Sequence, residues 1–163
     1  MRKSSYKDSS DSVKPRGFFR LQINDAGKIV GDTGWKENTV TNDGFDLYLV
    51  RSLGSISGSR YISHAALGTG TAPGATGTSL DGELTDVAGC RCAVTPTTVA
   101  SKTLQCAFTL ASSVITASKP ISNVGLFYTS TTSAGSIFAG NTYTSSALAT
   151  NQAVQGTYQI RFS

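Results

Sequence analysis

The chain has 163 residues, a net charge of +4 and only 15% charged residues, a length that allows one well-packed core. Seventeen glycines among many Ser, Thr and Val residues favour strands and turns, which excludes a helical bundle, and no apolar run is long enough to cross a membrane. We therefore expect an all-β protein: a β-sandwich or jelly-roll-like domain with one or two short helices and an extended N-terminal arm.

Positive charge concentrates at the start of the chain. The charged residues there are Arg2, Lys3, Lys7, Lys14, Arg16 and Arg20, against Asp8 and Asp11. We interpret residues 1–17 as an extended basic arm and residues 18–163 as the folded domain. Such an arm suits an acidic protein surface or nucleic acid, and the alternative is a solvated terminus. It lacks the apolar stretch of a signal peptide, so we expect no secretion.

The domain begins with a predicted hairpin. In residues 17–24, Phe19, Leu21 and Ile23 alternate with polar neighbours, which is the periodicity of a strand. The sequence NDAG then supplies turn residues, KIV the returning strand, and residues 34–41 another extended piece.

Residues 43–53 form the best candidate for a helix. An apolar stripe at a helical spacing is expected to face the core; it comprises Phe45, Leu49 and Leu53, with Tyr48 beside them. Asn42 or Asp43 would cap its start, and Gly54 would end it.

A long Gly- and Thr-rich segment follows, ALGTGTAPGATGTSLDGEL at residues 66–84. A phosphate-binding loop would end in Gly-Lys-Ser/Thr, but this segment has no Lys and instead carries Asp81 and Glu83. We interpret it as a connector ending in one helical turn, whose dipole these carboxylates complement. Its anchors would be Leu80 and Leu84, with Thr78 or Ser79 as the cap.

The remaining strands are short and separated by turns. They are expected within residues 60–70, 90–110 (two strands), 121–130, 135–143 and 157–163. Pro96 predicts a turn or an edge position. In the last strand, Tyr158, Ile160 and Phe162 would face one way, and Gln159 and Arg161 the other.

No residues mark a catalytic, cofactor or metal site, so we expect a protein that is not an enzyme and needs no cofactor. Cys90, Cys92 and Cys106 are odd in number and suit buried apolar positions in a reducing cytoplasm. His64 is the single histidine, and we expect it to be exposed or hydrogen-bonded locally.

Several segments together resemble a class of small structural proteins of tailed-bacteriophage virions. They are a VTN-x-G helix start, a GxGT-x-x-P loop ending in T-x-L-x-x-E-L, a VGLF strand, the segment GSIFAGNTY and a short terminal strand. The resemblance covers roughly residues 38–163. The chain departs from the pattern at Asn123, where an acidic residue is expected, and in lacking a clear basic residue directly after DGEL.

The resemblance implies a virion component that acts through surface area and symmetry. The leading expectation is a decoration or cement protein, assembled in the host cytoplasm, that binds the major capsid protein or other virion proteins. We expect a homo-oligomer, with a trimer as the first guess, and no specific nucleic acid. The candidate contact residues come from the arm and not from the resemblance: Arg2, Lys3, Arg16 and Arg20 for acidic surface, with Phe18 and Phe19 as apolar anchors.

Two other functions stay open. One is a tail component, such as a fibre, collar or baseplate attachment protein. The other is a carbohydrate-binding module, whose aromatic platform would come from Trp35, Tyr61, Tyr128 and Tyr143.

Overall fold

Two long strands near the ends of the chain hold the fold together. The computed structural model describes residues 13–86 and 90–163. Strand β1 (Pro15–Asp25) buries every second residue from Phe19 to Ile23, and strand β9 (Gln152–Phe162) does so from Val154 to Ile160. The two pair antiparallel along their whole length. The alternation predicted for both segments is confirmed.

Seven further strands and two short helical pieces complete the described chain. The strands are β2 (Lys28–Asp32), β3 (Lys36–Val40), β4 (His64–Gly68), β5 (Cys92–Ala100), β6 (Thr103–Leu110), β7 (Lys119–Phe127) and β8 (Ala139–Leu148). The helical pieces are a π-helix (Gly44–Val50) that continues as α-helix (Arg51–Leu53), and a 3-10 turn (Ser112–Val114). Strands hold 50% of the residues and helices 10%, which confirms the all-β class.

Eight of the strands close into a barrel. Their order is β1-β3-β8-β7-β4-β5-β6-β9, and β9 returns to pair with β1. Strand β2 lies outside this ring and extends the sheet from β1. It pairs with residues 22–25 of β1, whereas β3 pairs with residues 17–19 of the same edge.

The barrel wall has two narrow seams. Strands β3 and β8 share two residue pairs, as do β4 and β5, where His64 lies opposite Ala93 and Ala65 opposite Cys92. Beyond Val94, the pairings of β5 in the described chain run to β6 alone. Pro96, which has no N–H to donate, lies in this part, where β5 pairs on one side only, so its predicted edge position is confirmed.

The predicted helix exists, but its predicted buried stripe is only partly correct, because Leu49 packs against the core and other members do not. Leu53 is 91% exposed and Phe45 is 41% exposed, whereas Tyr48 is buried and donates a hydrogen bond from its hydroxyl to the Ser136 carbonyl at 2.5 Å. A π-helix winds more widely than an α-helix, so residues four apart no longer share one face. The cap also differs: the Gly44 N–H donates to Thr41 Oγ1 at 3.0 Å, in place of a cap at Asn42 or Asp43.

The Gly- and Thr-rich segment packs against the outside of the barrel. Leu80 joins Ala66, Phe127 and Ile137 in a small buried cluster, separate from the main core inside the barrel, to which Leu84 belongs. These two leucines therefore anchor the connector, as predicted. The predicted helical turn is wrong, because Gly82 takes a positive φ of 61° in a tight turn and Glu83 bridges to Gly68.

Candidate interface on the outer barrel face

The outward side of β1 and β9 carries an aromatic ring between two arginines. The ring is that of Phe18, which is half-buried. The guanidinium carbons of Arg16 and Arg161 lie 5.4 and 4.6 Å from its centroid, and these two arginines are opposite each other in the strand register. Both distances are within the range of a cation–π contact.

A row of amides continues this surface across β9 to β6. Arg161 donates to Gln159 Oε1 from Nε at 3.2 Å and from Nη2 at 2.7 Å. Gln159 in turn donates to Gln105 Oε1 at 3.0 Å. Together with Arg16 and Phe18, these residues form what we term the β1–β9 face: Arg16, Phe18, Gln105, Gln159 and Arg161.

The charges on and beside this face are unequally paired. Arg16 forms an ion pair with Glu37 at 2.7 Å, and the two side chains are 54% and 60% exposed. Arg20, farther along β1, pairs with Asp32. Arg161 has no carboxylate partner within the described chain, so the face offers an unneutralised guanidinium beside an aromatic ring.

The ion pair of Arg20 with Asp32, beside the β1–β9 face, also lowers the pKa of the Asp32 carboxyl. Hydrogen bonds from the Arg20 guanidinium, the Gly34 N–H and the Gln22 amide favour the charged form of Asp32. They hold the pKa of Asp32 well below its usual range, against a small opposing effect of burial.

The predicted contact residues divide into three groups. Arg16, Phe18 and Arg20 lie outward on β1. Phe19 does not: it is fully buried and packs on Tyr143, with ring centroids 6.0 Å apart, because strand alternation turns it inward. The proposed anchor at Phe19 is therefore wrong. Arg2 and Lys3 lie outside the described residues.

The candidate contact residues named from the sequence did not include the other members of this face, Arg161, Gln159 and Gln105. Alternation in residues 157–163 already placed Arg161 and Gln159 on an outward side. The sequence pattern did not reveal that β9 lies between β1 and β6, because these pairings join segments that are far apart in the chain.

The folded domain begins closer to the N-terminus than residue 18, where the sequence predicts its start. Lys14 exchanges two backbone hydrogen bonds with Ser163, at 3.0 and 3.2 Å, and β1 starts at Pro15. Residues 14–17 therefore belong to the barrel. The chain enters the barrel beside Arg161, at one border of the β1–β9 face.

Four of the motifs that carry the resemblance, all except the terminal strand, lie next to one another and have structural roles there. Asn123 is fully buried, and its Nδ2 donates to the carbonyls of Thr71 and Asp81 at 2.9 and 2.8 Å. A Cβ on Gly68 would lie 2.4 Å from Asn123 Oδ1, and one on Gly44 would lie 2.1 Å from the Phe138 carbonyl. These glycines are needed because backbone or a buried side chain passes so close to them.

The carboxylates of the connector are used to fix its shape. Asp81 Oδ2 accepts hydrogen bonds from the Thr71 N–H at 2.9 Å and from the Thr71 hydroxyl at 3.0 Å. These bonds lower the pKa of Asp81. Glu83 pairs with the buried Arg91. The interpretation as an anchored connector is confirmed by these contacts and by the two buried leucines.

The histidine and the cysteines, which are the residue types most often used in catalysis or metal binding, have structural surroundings in this fold. His64 Nδ1 lies 2.8 Å from Ser63 Oγ, so the expected local hydrogen bond is confirmed, and burial lowers the pKa of this histidine. The three cysteines are buried and form no disulfide bond with one another. Across residues 13–86 and 90–163, no three His, Cys, Asp or Glu side chains are grouped to hold a metal, and no helix has the length and apolar character to span a bilayer.

The four aromatics considered for sugar binding differ in exposure. Tyr61 is 77% exposed and Trp35 is 45% exposed. Tyr128 lies under the Arg60 guanidinium, and Tyr143 has a buried hydroxyl. Two of the four therefore remain accessible.

Comparisons of the chain with protein-family models, with curated proteins and with solved structures give no match.

Proposed function

We propose that this chain is a structural protein of a tailed-bacteriophage virion, a decoration or cement protein that bridges neighbouring capsid subunits on the outside of the head. The order of its sequence motifs supports the proposal. So does their role in the fold, because they shape a rigid barrel and its connector and not a cavity for chemistry.

The observation that carries the proposal is the β1–β9 face, where Arg161 lacks a carboxylate partner and flanks Phe18 together with Arg16. An acidic shell surface would complement Arg161, and Phe18 would add apolar contact. The exposed pair of Arg16 with Glu37 can be exchanged for partner contacts at little cost, because such pairs contribute little to stability. The basic arm joins the barrel at the border of the same face.

The mechanism is stabilisation by mass action. A protein that binds the assembled shell and not its separated subunits raises the free energy needed for disassembly. We place the barrel outside the shell with the β1–β9 face directed inward. The two narrow seams would let its wall act as two layers, which is the sandwich-like arrangement that the sequence predicts.

A homo-oligomer, with a trimer as the first candidate, is part of the proposal. Strand β2 has one unpaired edge in the described chain and exposes Ile29 and Val30, each by 51%. Trp35, which is 45% exposed, follows shortly afterwards. Apolar side chains grouped in this way are typical of surfaces that a subunit contact covers.

The copy number in purified particles tests the proposal. A decoration protein is expected at on the order of hundreds of copies per particle, measured by quantitative mass spectrometry against the major capsid protein. A count of about six to a few dozen would instead assign the chain to the tail. Absence from washed particles would overturn both assignments.

A further inference from the structure

An apolar cleft opens beside the narrow seam between β4 and β5. The last bond across this seam runs from the Val94 N–H to the Ser63 carbonyl at 2.8 Å, and beyond it the two segments separate. The cleft has a volume of about 250 Å³. Its walls are apolar and come from the helix, from residues 60–62 and from the ends of β5, β6 and β9; they include Tyr48, Leu49, Leu104, Ile160 and Phe162.

One cation lines this cleft. The guanidinium of Arg60 stacks on the Tyr128 ring at 4.2 Å from its centroid, and its Nη1 is buried without a hydrogen-bond partner. Its backbone is fixed, because the Arg60 N–H donates to the Leu47 carbonyl at 2.9 Å. The side chain is therefore held at the cleft with its hydrogen-bonding capacity unused.

Arg60 differs in this respect from the other arginines in the described chain. Four of them donate to a carboxylate: Arg16, Arg20, Arg51 and Arg91. Arg161 donates to the Gln159 amide. The guanidinium of Arg60 makes no hydrogen bond to any described residue, so its nitrogens other than the buried Nη1 are free to donate to an anionic group from outside.

We propose that the cleft binds a small organic acid with an apolar body, either an aryl or a short alkyl carboxylate. The carboxylate would bind the guanidinium of Arg60, whose planar edge matches its two oxygens. The body would lie against Leu49, Leu104 and Ile160, with the exposed Tyr61 at the rim. With a volume of about 250 Å³, the cleft lies just below the range typical of small-molecule sites, which suits a small ligand.

The structure favours a small molecule over an extended peptide. A peptide that added as a strand to the free edge of β5 would need backbone donors along that edge. Val94 directs its N–H toward β4, so alternation directs the same side of Pro96 toward the cleft, and Pro96 has no N–H. The edge is therefore poorly suited to strand addition.

Titration of the full chain with 4-phenylbutyrate, followed by calorimetry and by backbone NMR shifts, tests this assignment. The uncharged amide of the same acid is the matched ligand. We expect the acid to bind with a Kd of about a millimolar or tighter, and the amide about tenfold more weakly. The shifted signals should be those of residues around Leu49, Leu104 and Phe162. No binding of the acid at ten times that concentration, or equal binding of acid and amide, would overturn the proposal.

Two variants sharpen the test. Arg60→Gln should weaken acid binding about tenfold and leave the amide unchanged, whereas Arg161→Gln, which also removes an arginine from an aromatic ring, should leave both unchanged. Unchanged acid binding by Arg60→Gln would contradict the assignment. A tetrapeptide that ends in phenylalanine carries the same chemistry at a chain end, and tighter binding of this peptide than of the free acid would overturn the choice of a small molecule. The comparison of the acid with the amide uses the unmodified chain, so it tests the proposal even if a variant fails to fold.

Discussion

Arg91 and Glu83 form a two-point ion pair inside the molecule, with N–O distances of 2.6 and 2.9 Å and side chains that are 1% and 4% exposed. The same guanidinium donates to the carbonyls of Thr129 and Ala134 and lies 3.7 Å from the centroid of the Phe127 ring. One side chain thus ties the connector to the segment between β7 and β8.

Removal of Glu83 should destabilise the protein strongly. Glu83→Ala leaves the Arg91 charge buried without its partner, so we expect the free energy of unfolding to fall by about 3–5 kcal/mol. Urea denaturation measures this change. Glu37→Ala removes the exposed partner of Arg16 and should cost at most about 1 kcal/mol. Similar losses in the two variants would contradict the role assigned to the buried pair.

Gly44 should not tolerate a methyl group. A Cβ there would lie 2.1 Å from the Phe138 carbonyl, so the helix start or β8 has to move. We expect Gly44→Ala to lower the free energy of unfolding by about 2–4 kcal/mol. Gly74→Ala is the matched control, because nothing lies within 4 Å of its added Cβ, and it should be close to neutral. Thermal unfolding of both variants checks the contrast, and equal melting temperatures would refute it.

The ion pair of Asp32 with Arg20 should make stability depend on pH in acid. The pKa of Asp32 is lowered in the folded state, so the stabilisation is present above the pKa of the unfolded chain, about 4, and is lost as the pH falls through the folded value. The difference in urea midpoint between the unmodified chain and Asp32→Asn should therefore be largest near pH 6 and shrink below pH 4. An Arg20→Gln background should reduce this pH dependence. If the difference in urea midpoint stayed constant from pH 7 to strong acid, the assigned role of the Asp32–Arg20 ion pair would be contradicted.

The buried thiols should be unreactive in the folded protein. Burial raises the pKa of Cys92 and of Cys106 to about 12. At pH 8 their alkylation by iodoacetamide should be slower than in urea by on the order of a thousandfold, because the thiolate fraction falls in proportion. Peptide mapping by mass spectrometry follows each cysteine separately. Rapid labelling of either one without denaturant would show that its strand is not packed as described.

Most of what the sequence predicted correctly about the fold came from the periodicity of its strands. The alternation of Phe19, Leu21 and Ile23 and that of the last strand both correspond to buried faces. The turn before Lys28 was predictable too, since Ala26 and Gly27 adopt the positive φ that such turns require. Closure of the barrel was not predictable, because it depends on β1 pairing with β9 across nearly the whole chain.

The helix and the charged sites show why local patterns were insufficient. The spacing of Phe45, Leu49 and Leu53 assumes an α-helix, and the wider winding of the π-helix removed their common face. Arg91 alternates with the core residues Cys90 and Cys92, which is typical of an exposed position, yet a buried carboxylate and two carbonyls cover it on the outer face of the barrel. Arg161 was placed correctly on its strand, but its neighbours across the sheet were unknown.

Occupancy of the protein on virus particles tests the central claim most directly. Particles lacking the protein are incubated with the unmodified chain, with Arg161→Glu or with Arg51→Glu. Arg51→Glu is the control, because it makes the same charge change on the helix. Bound protein is then measured by gel densitometry and cryo-electron microscopy. A second variant lacks residues 1–12. This truncation leaves β1 intact, whereas removal of residues 1–17 would delete the start of β1. We predict that Arg161→Glu and the truncation lower occupancy at least about tenfold at limiting concentration, while Arg51→Glu binds as the unmodified chain does. Full occupancy by Arg161→Glu would contradict the assignment of the β1–β9 face as the surface that binds the shell.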